Sequence, residues 1–226
     1  MNSLALAHLL QLSSQALPVG GYSHSLGLES AIEQKIVNDE GTLLRWIADV
    51  LEFSMKTFEV PRMLSMAAAW KENDRAALES LNDDFLATRE SAELRAAAVQ
   101  MGVSLRALIY VLPNLPAEIV GALRSIREPS FACAWSAIAT AWHIEPREAV
   151  VGYLWNWAEN QVLVAMKAVP IGQSAGQRVL LATGSRIARL AEESVQSPVE
   201  LFSNFAPALA ILSAQHETQY SRLFRS

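Results

Sequence analysis

LLQLSSQALPVGGYSHSLGLE, residues 9–29, packs the apolar end of one helix, a forced break and the start of another into one short run. Leu9, Leu10 and Leu12 give the first helix an apolar side. Pro18 cannot continue it, because proline lacks an N–H and its ring clashes with the preceding turn. Gly20 and Gly21 follow at once, and either can adopt positive φ or admit a close backbone approach. Tyr22, Ser23 and Ser25 then offer hydroxyls to cap a second helix, expected from about Leu26. A corner so polar and glycine-rich, set between helices, is more than a spacer.

Outward from this corner the periodicity is helical almost everywhere. Leu43, Leu44, Ile47, Val50, Leu51 and Met55 recur at helical spacing, with Arg45, Asp49, Glu52 and Lys56 opposite and Glu52 four residues before Lys56. Pro61 is expected to break or bend this helix before it resumes over Met63 to Trp70. Asn73 is read as the cap of the next, whose stripe is Leu78, Leu81 and Phe85. From Leu94, the series Ala98, Met101, Leu105, Leu108 and Leu112 alternates steps of four and three, the seam of a helix packed along an antiparallel neighbour, until Pro113 and Pro116 end it. Shorter helices are expected over 117–127 and 131–142. Pro146 suits the first turn of a longer one running through Tyr153 and Trp157 toward Lys167. After the Pro170 and Gly172 break, Val179, Thr183, Ile187 and Leu190 mark another stripe. Arg178, Arg186 and Arg189 form a ridge read as a solvated face. Pro198 and Pro207 bracket a short segment before a terminal helix. No stretch alternates as a strand does, and no internal repeat stands out. The expected fold is therefore all-α: one domain over residues 1–226, a bundle of about ten helices.

Composition narrows the function. The hydrophobic share is 51% and the mean hydropathy +0.18, yet the longest uncharged apolar run, around Phe131 to Trp142, falls short of the roughly 20 residues that span a bilayer. Met1 to Leu12 carries no cation ahead of its leucines and makes a poor secretory signal. The single cysteine, Cys133, can form no internal disulfide and agrees with a reducing compartment, so cytoplasm is the expectation. A net charge of −5 argues against nucleic acid as a partner. The apolar surplus has two readings, a deep helical core or exposed surface for protein partners.

Motifs for catalysis or metal binding mostly fail. Gly172, Gln173, Ser174, Ala175 and Gly176 match G-x-S-x-G, with Glu192, Glu200 and His216 following in the order of a hydrolase triad. A serine hydrolase using Ser174 and His216 is thus the alternative function. It requires a strand to deliver the serine to a strained turn, and the alternative to it is a helix junction shaped by Pro170, Gly172 and Gly176. His216 and Glu217 open H-E-x-x-H, but Tyr220 stands where the second histidine belongs. Asn82, Asp83 and Asp84 read as a surface acidic patch, and Arg89, Glu90, Glu93 and Arg95 as an exposed helix face. His8, His24, His143 and His216 are scattered, and with Cys133 form no metal cluster. G-x-x-x-x-G-K-[ST] is absent from the sequence, so no nucleotide hydrolysis is expected of this chain.

The run L-x-Q-L-S-S-x-x-L-P-V-G-G-Y-S-x-S-x-G-L-E resembles the N-terminal signature of the urease accessory protein UreF family, fixing about a dozen positions in order. Three further blocks look like the same family: TRESAELR at 88–95, KAVPIGQSAGQ at 167–177 and HETQYSRLFRS at 216–226. The resemblance implies an all-α, non-catalytic component of the complex that matures urease, with no cofactor or metal of its own. It implies partners too: the UreD (also called UreH) accessory protein, the GTPase UreG, apo-urease and a second copy of the chain, with GTP hydrolysis by UreG coupled to nickel insertion. Partner surfaces would be the corner (Pro18, Gly20, Gly21, Tyr22, Ser23), the junction (Lys167, Pro170, Gly172, Gln173), and the tail (His216, Glu217, Tyr220, Ser221, Arg222, Leu223, Phe224) within a C-terminal segment of about 207–226. Lys167 would help gate the GTPase. The tail reads as a helix, with His216, Tyr220 and Phe224 on one side and Arg222 and Arg225 near its C-terminus. Burying Tyr220, Leu223 and Phe224 would contribute about 1.5–3 kcal/mol each, against about 1–2 kcal/mol for each backbone residue ordered. A docking tail must therefore be partly ordered beforehand or draw on further contacts.

Overall fold

In the computed structural model, which describes residues 2–113, 115–196 and 202–225, every regular element is helical. Along the chain these are α1 (Ser3–Ser13), α2 (Leu28–Glu33), α3 (Glu40–Val50), α4 (Val60–Glu72), α5 (Arg75–Ala87), α6 (Ala92–Ile109), α7 (Ala117–Ser125), α8 (Phe131–Ala141), α9 (Pro146–Ala168), α10 (Gln173–Gln196) and α11 (Pro207–His216). A π-helical segment, Leu51–Glu59, fuses α3 and α4 into one rod. Ten helices therefore stand as separate rods among the described residues, and no strand occurs among them.

The core is organised by α8, FACAWSAIATA, which is buried at every position except Thr140. A helix without a polar face belongs inside a bundle, and its many alanines let neighbours approach closely. Ser130 caps it, accepting from the Cys133 N–H at 3.2 Å. The α4, α6, α7 and α9 helices all pack on it. Trp135, wholly buried, donates to the Ala149 carbonyl, and its ring, Phe131 and Tyr153 lie 5.6–5.7 Å from one another. Burial pushes the Cys133 thiol up to about 12, so it packs as a small apolar side chain. Where α6 crosses the loop before α8, Gly102 lies against the Pro129 carbonyl and the Ser130 backbone, leaving no room for a Cβ.

Several sequence expectations hold and others are corrected. Pro146 opens α9 as expected, and Val179, Thr183, Ile187 and Leu190 are buried on α10. Leu9 and Leu12 face inward from α1, whereas Leu10 is exposed. The α6 seam is rotated: Met101 and Leu105 are buried with Ala97, Gly102 and Ile109, and Leu112 lies beyond the helix. The two shorter helices end at Ser125 and Ala141, earlier than expected. Asn73 does not cap α5. It ends α4 in the left-handed region (φ 52°), and the Asp74 carboxylate accepts from Ala77 N–H instead. Asn82 is no surface residue: it is buried, donating to the Glu128 carbonyl and accepting from Ser130 N–H. The arginine ridge of α10 is paired, Arg178 with Glu40 and both Arg186 and Arg189 with Glu52. Pro198 lies outside the described residues.

Pro61 does not break the rod. Lacking an N–H, it cannot donate to the Thr57 carbonyl one turn back. Ser203 N–H, from the segment before α11, donates to that carbonyl at 3.1 Å, and the Thr57 hydroxyl donates to the Ser203 carbonyl at 2.6 Å. The next residue, Asn204, accepts from the Ser54 hydroxyl and donates to the Thr88 carbonyl and the Glu90 carboxylate. A sequence-encoded defect in one helix thus becomes the anchorage of a distant segment.

Because α6 and the 129–130 backbone are in contact at Gly102, Gly102→Ala should cost about 3 kcal/mol, the upper range for overpacking a filled interior. Urea denaturation at equilibrium measures it, and a variant as stable as wild type or more so, the usual outcome at a helical glycine, would contradict the packing.

Candidate functional site

The corner folds as its glycines allow. Gly20 sits at φ 74° and the 3₁₀ turn Gly21–Ser23 follows, with the Ser23 hydroxyl donating to the Gly20 carbonyl at 2.8 Å. Gly21 needs no positive φ. Leu26 and Gly27 both occupy the left-handed region (φ 54° and 87°), so α2 begins at Leu28 rather than Leu26. Its N-cap is Gly27, which has no side chain to cap with, so the N-cap position itself carries no hydroxyl.

The tail takes a different form from the one the sequence suggests. Helix α11 ends at His216, and residues 217–225 run as turns and bends. The cause is Glu29, a buried carboxylate at the second position of α2. It accepts from the backbone N–H groups of Leu223 (2.6 Å) and Phe224 (3.0 Å), groups that a continuing helix would have used internally. Phe224 is consequently buried, while Tyr220 is fully exposed and Leu223 is 70% exposed. Arg225 N–H donates to the Ser23 carbonyl at 2.8 Å, joining the chain's end to the corner.

His216 closes the arrangement. Wholly buried, it places Nε2 3.0 Å from the same Glu29 carboxylate and Nδ1 2.6 Å from Glu93. Glu93 also accepts from Arg222 at 2.8 Å. Glu217 accepts from Ala92 N–H at the start of α6, and the hydroxyls of Ser91 and Ser213 lie 2.6 Å apart. Lys167, in the last turn of α9, holds its ammonium 5.6 Å from the Phe224 ring centre, a cation–π approach. The four blocks quoted from the sequence, far apart along the chain, thus meet at one place. Pro170, Gly172 and Gln173 lie exposed at the turn between α9 and α10, and Pro18 is exposed at the corner.

Two residues central to this cluster were not read as such. Glu29 closes the quoted corner and Glu93 belongs to a segment read as an exposed face. The usable signal was Glu29 itself, a carboxylate set beside Leu28 and Ala31 in the first turn of a short helix. That exposed-face reading also fails at Arg89. It is buried at the α5–α6 junction, paired with Glu59 at 2.6 Å and stacked 4.4 Å from the Phe85 ring centre. Glu59 in turn accepts from the Tyr153 hydroxyl, and burial raises the Glu90 carboxyl. These groups border a cavity of about 80 Å³ beneath the corner.

The hydrolase alternative finds no support. Ser174 lies in the first turn of α10, on a helix rather than a strand-borne turn. Both ring nitrogens of His216 face carboxylates, and Glu192 is paired with Arg147. Glu200 lies outside the described residues.

Comparison with known proteins decides the family. The UreF family model matches residues 37–184. The urease accessory protein UreF of Dechloromonas aromatica (strain RCB) is 50% identical over 99% of this chain and 98% of its own length. That of Azoarcus sp. (strain BH72) is 49% identical over 99% and 96%, and that of Janthinobacterium sp. (strain Marseille) 45% over the full length of both. The chain belongs to the UreF family. The family model covers the helical body but neither the corner nor the tail. Those two, with Glu29, His216 and Phe224, lie within the full-length match to UreF relatives, whereas Glu93 and Lys167 fall inside the family model as well.

Buried His24 gives the corner a pH signature. Its removal from water, reinforced by the charge of Arg225, lowers its pKa from 6.5 to about 4. The unfolded chain takes up this proton first, so stability is fully present above pH 6.5 and is lost as pH falls toward 4. Wild type should lose about 2–3 kcal/mol more than His24→Phe between pH 7 and pH 4.5, by urea denaturation at each pH. Equal losses would show that His24 is not held neutral.

Proposed function

We propose that this UreF family member is a non-catalytic scaffold for urease maturation, working in the cytoplasm. In this reading UreD (UreH) docks on the tail, within the segment of about 207–226, and on the adjoining corner, and UreG contacts the neighbourhood of Lys167. The assembly, containing two copies of this chain, sits on apo-urease and couples GTP hydrolysis by UreG to insertion of nickel, which is cargo rather than a resident ion.

The observation that carries this reading is the pinned tail. A free segment would have to be ordered on binding, at about 1–2 kcal/mol per residue. Here Glu29, His216 and Ser23 already fix the backbone, while Tyr220 and Leu223 project outward, exposed among the described residues. Large apolar side chains on a preorganised backbone are what a docking surface needs, because the ordering cost has been met within the chain itself. Tyr22, 59% exposed, adds a third such side chain from the corner. Membership of an accessory family supports a role through partners rather than chemistry on a substrate.

Replacing Tyr220 and Leu223 together by alanine should leave thermal unfolding unchanged, since neither side chain is packed, and weaken co-purification of UreD at least tenfold, with nickel-dependent urease activation falling in parallel. Retained binding would exclude the tail as the UreD surface. Lys167→Ala should likewise keep the fold while changing GTP turnover by the assembled complex at least about twofold, a modest interface contribution in energy. Unaltered turnover and urease activation would remove Lys167 from that role.

A further inference from the structure

We infer that the clamp on the tail is proton-coupled: Glu29, His216 and Glu93 are held together by one proton more than a neutral imidazole supplies, so the tail loosens as the solution becomes alkaline. A neutral imidazole has one N–H and one lone pair. Both nitrogens of His216 lie within hydrogen-bond distance of carboxylate oxygens, 3.0 Å to Glu29 and 2.6 Å to Glu93. With a single proton, one of these contacts would set a nitrogen lone pair against a carboxylate lone pair at a site closed to water, and unpaired buried charge is strongly unfavourable. The closed clamp therefore needs a second proton, shared among three interacting groups rather than owned by one.

The surroundings decide which contact fails when that proton leaves. Glu93 keeps a cation, Arg222, and holds the shorter bond to the ring. Glu29 has no cation in its bonded set, only the N–H groups of Leu223 and Phe224 and the ring itself. Repulsion from the deprotonated Nε2 falls on Glu29, which is the residue that pins the tail. The other charged groups packed around the cluster are Glu217, bonded to Ala92 N–H, Lys167 over Phe224, and Arg225 beside His24. Protonation of His24 would press on Arg225, but at acid pH, so the two responses do not overlap above pH 6.5. If the closed state holds one proton more than the open state, the opening constant rises up to about tenfold per pH unit. The coupling is a property of this chain alone; its bearing on partner docking rests on the reading above.

Amide hydrogen exchange of Leu223 and Phe224 in the full chain tests it, expressed as protection relative to the intrinsic rate at each pH from 6.5 to 9. In wild type, protection should fall by about tenfold per unit across at least one unit of this range. Glu93→Gln should be protected and flat: its amide N–H can donate to the bare Nδ1 and its carbonyl can accept from Arg222, leaving Nε2–H for Glu29 with no second proton. His216→Asn should be unprotected throughout. Flat protection in wild type, a wild-type slope in Glu93→Gln, or an open tail in Glu93→Gln at every pH would each overturn the inference. The Tyr220 and Leu223 double variant should keep the wild-type profile, so loss of partner binding there is separable from failure of the clamp.

Discussion

The bundle depends on one helix having no outside. Helix α8 carries no charge, and its five alanines and cysteine hold side-chain bulk to a minimum between Phe131, Trp135 and Ile138. Close approach of α4, α6, α7 and α9 follows from that thinness, and so does the placing of its few polar contacts. The Trp70 indole N–H reaches the Ser136 hydroxyl at 3.1 Å, and the Trp135 indole finds the Ala149 carbonyl. Interiors at crystal-like density leave little room for adjustment. The outer helices inherit their positions from this axis, and the ends of α6 and α11 are brought near α2 as a result.

The helices themselves were legible because apolar spacing and proline are local signals. Pro146 and the α10 stripe were read from neighbours in sequence alone. What escaped were features in which a distant residue overrides a local rule. Pro61 signals a break, but a donor from Ser203 repairs it. HETQYSRLFRS has helical spacing, but Glu29 takes the N–H groups that a helix would use. Arg89 and Glu93 look like a solvated face, but Glu59 and His216 lie opposite them. At the site the resemblance named four separate blocks, and only folding showed that they meet and that Glu29 joins them.

Buried polar clusters of this kind contribute little net stability compared with apolar packing, since desolvation offsets most of what the pairing supplies. Their effect is on arrangement. The carboxylate of Glu29 is satisfied here by one tail path, with Phe224 inward and Leu223 outward. Specificity of conformation at the end of a chain, where segments normally fray, is consistent with a surface that other proteins must recognise.

The π segment has a consequence for the two acidic residues at its ends. Glu52 and Glu59 are seven apart, and in an α-helix at 100° per residue they would fall within about 20° of one another, on a common side. Here Glu52 serves Arg186 and Arg189 on α10, while Glu59 serves Arg89 and the Tyr153 hydroxyl. Wider turns place more residues in each revolution, so the later carboxylate lags behind the earlier one. The segment works as a phase shifter: it lets one rod address a wet ion-pair lattice and an interior arginine from positions that a regular heptad would have stacked together.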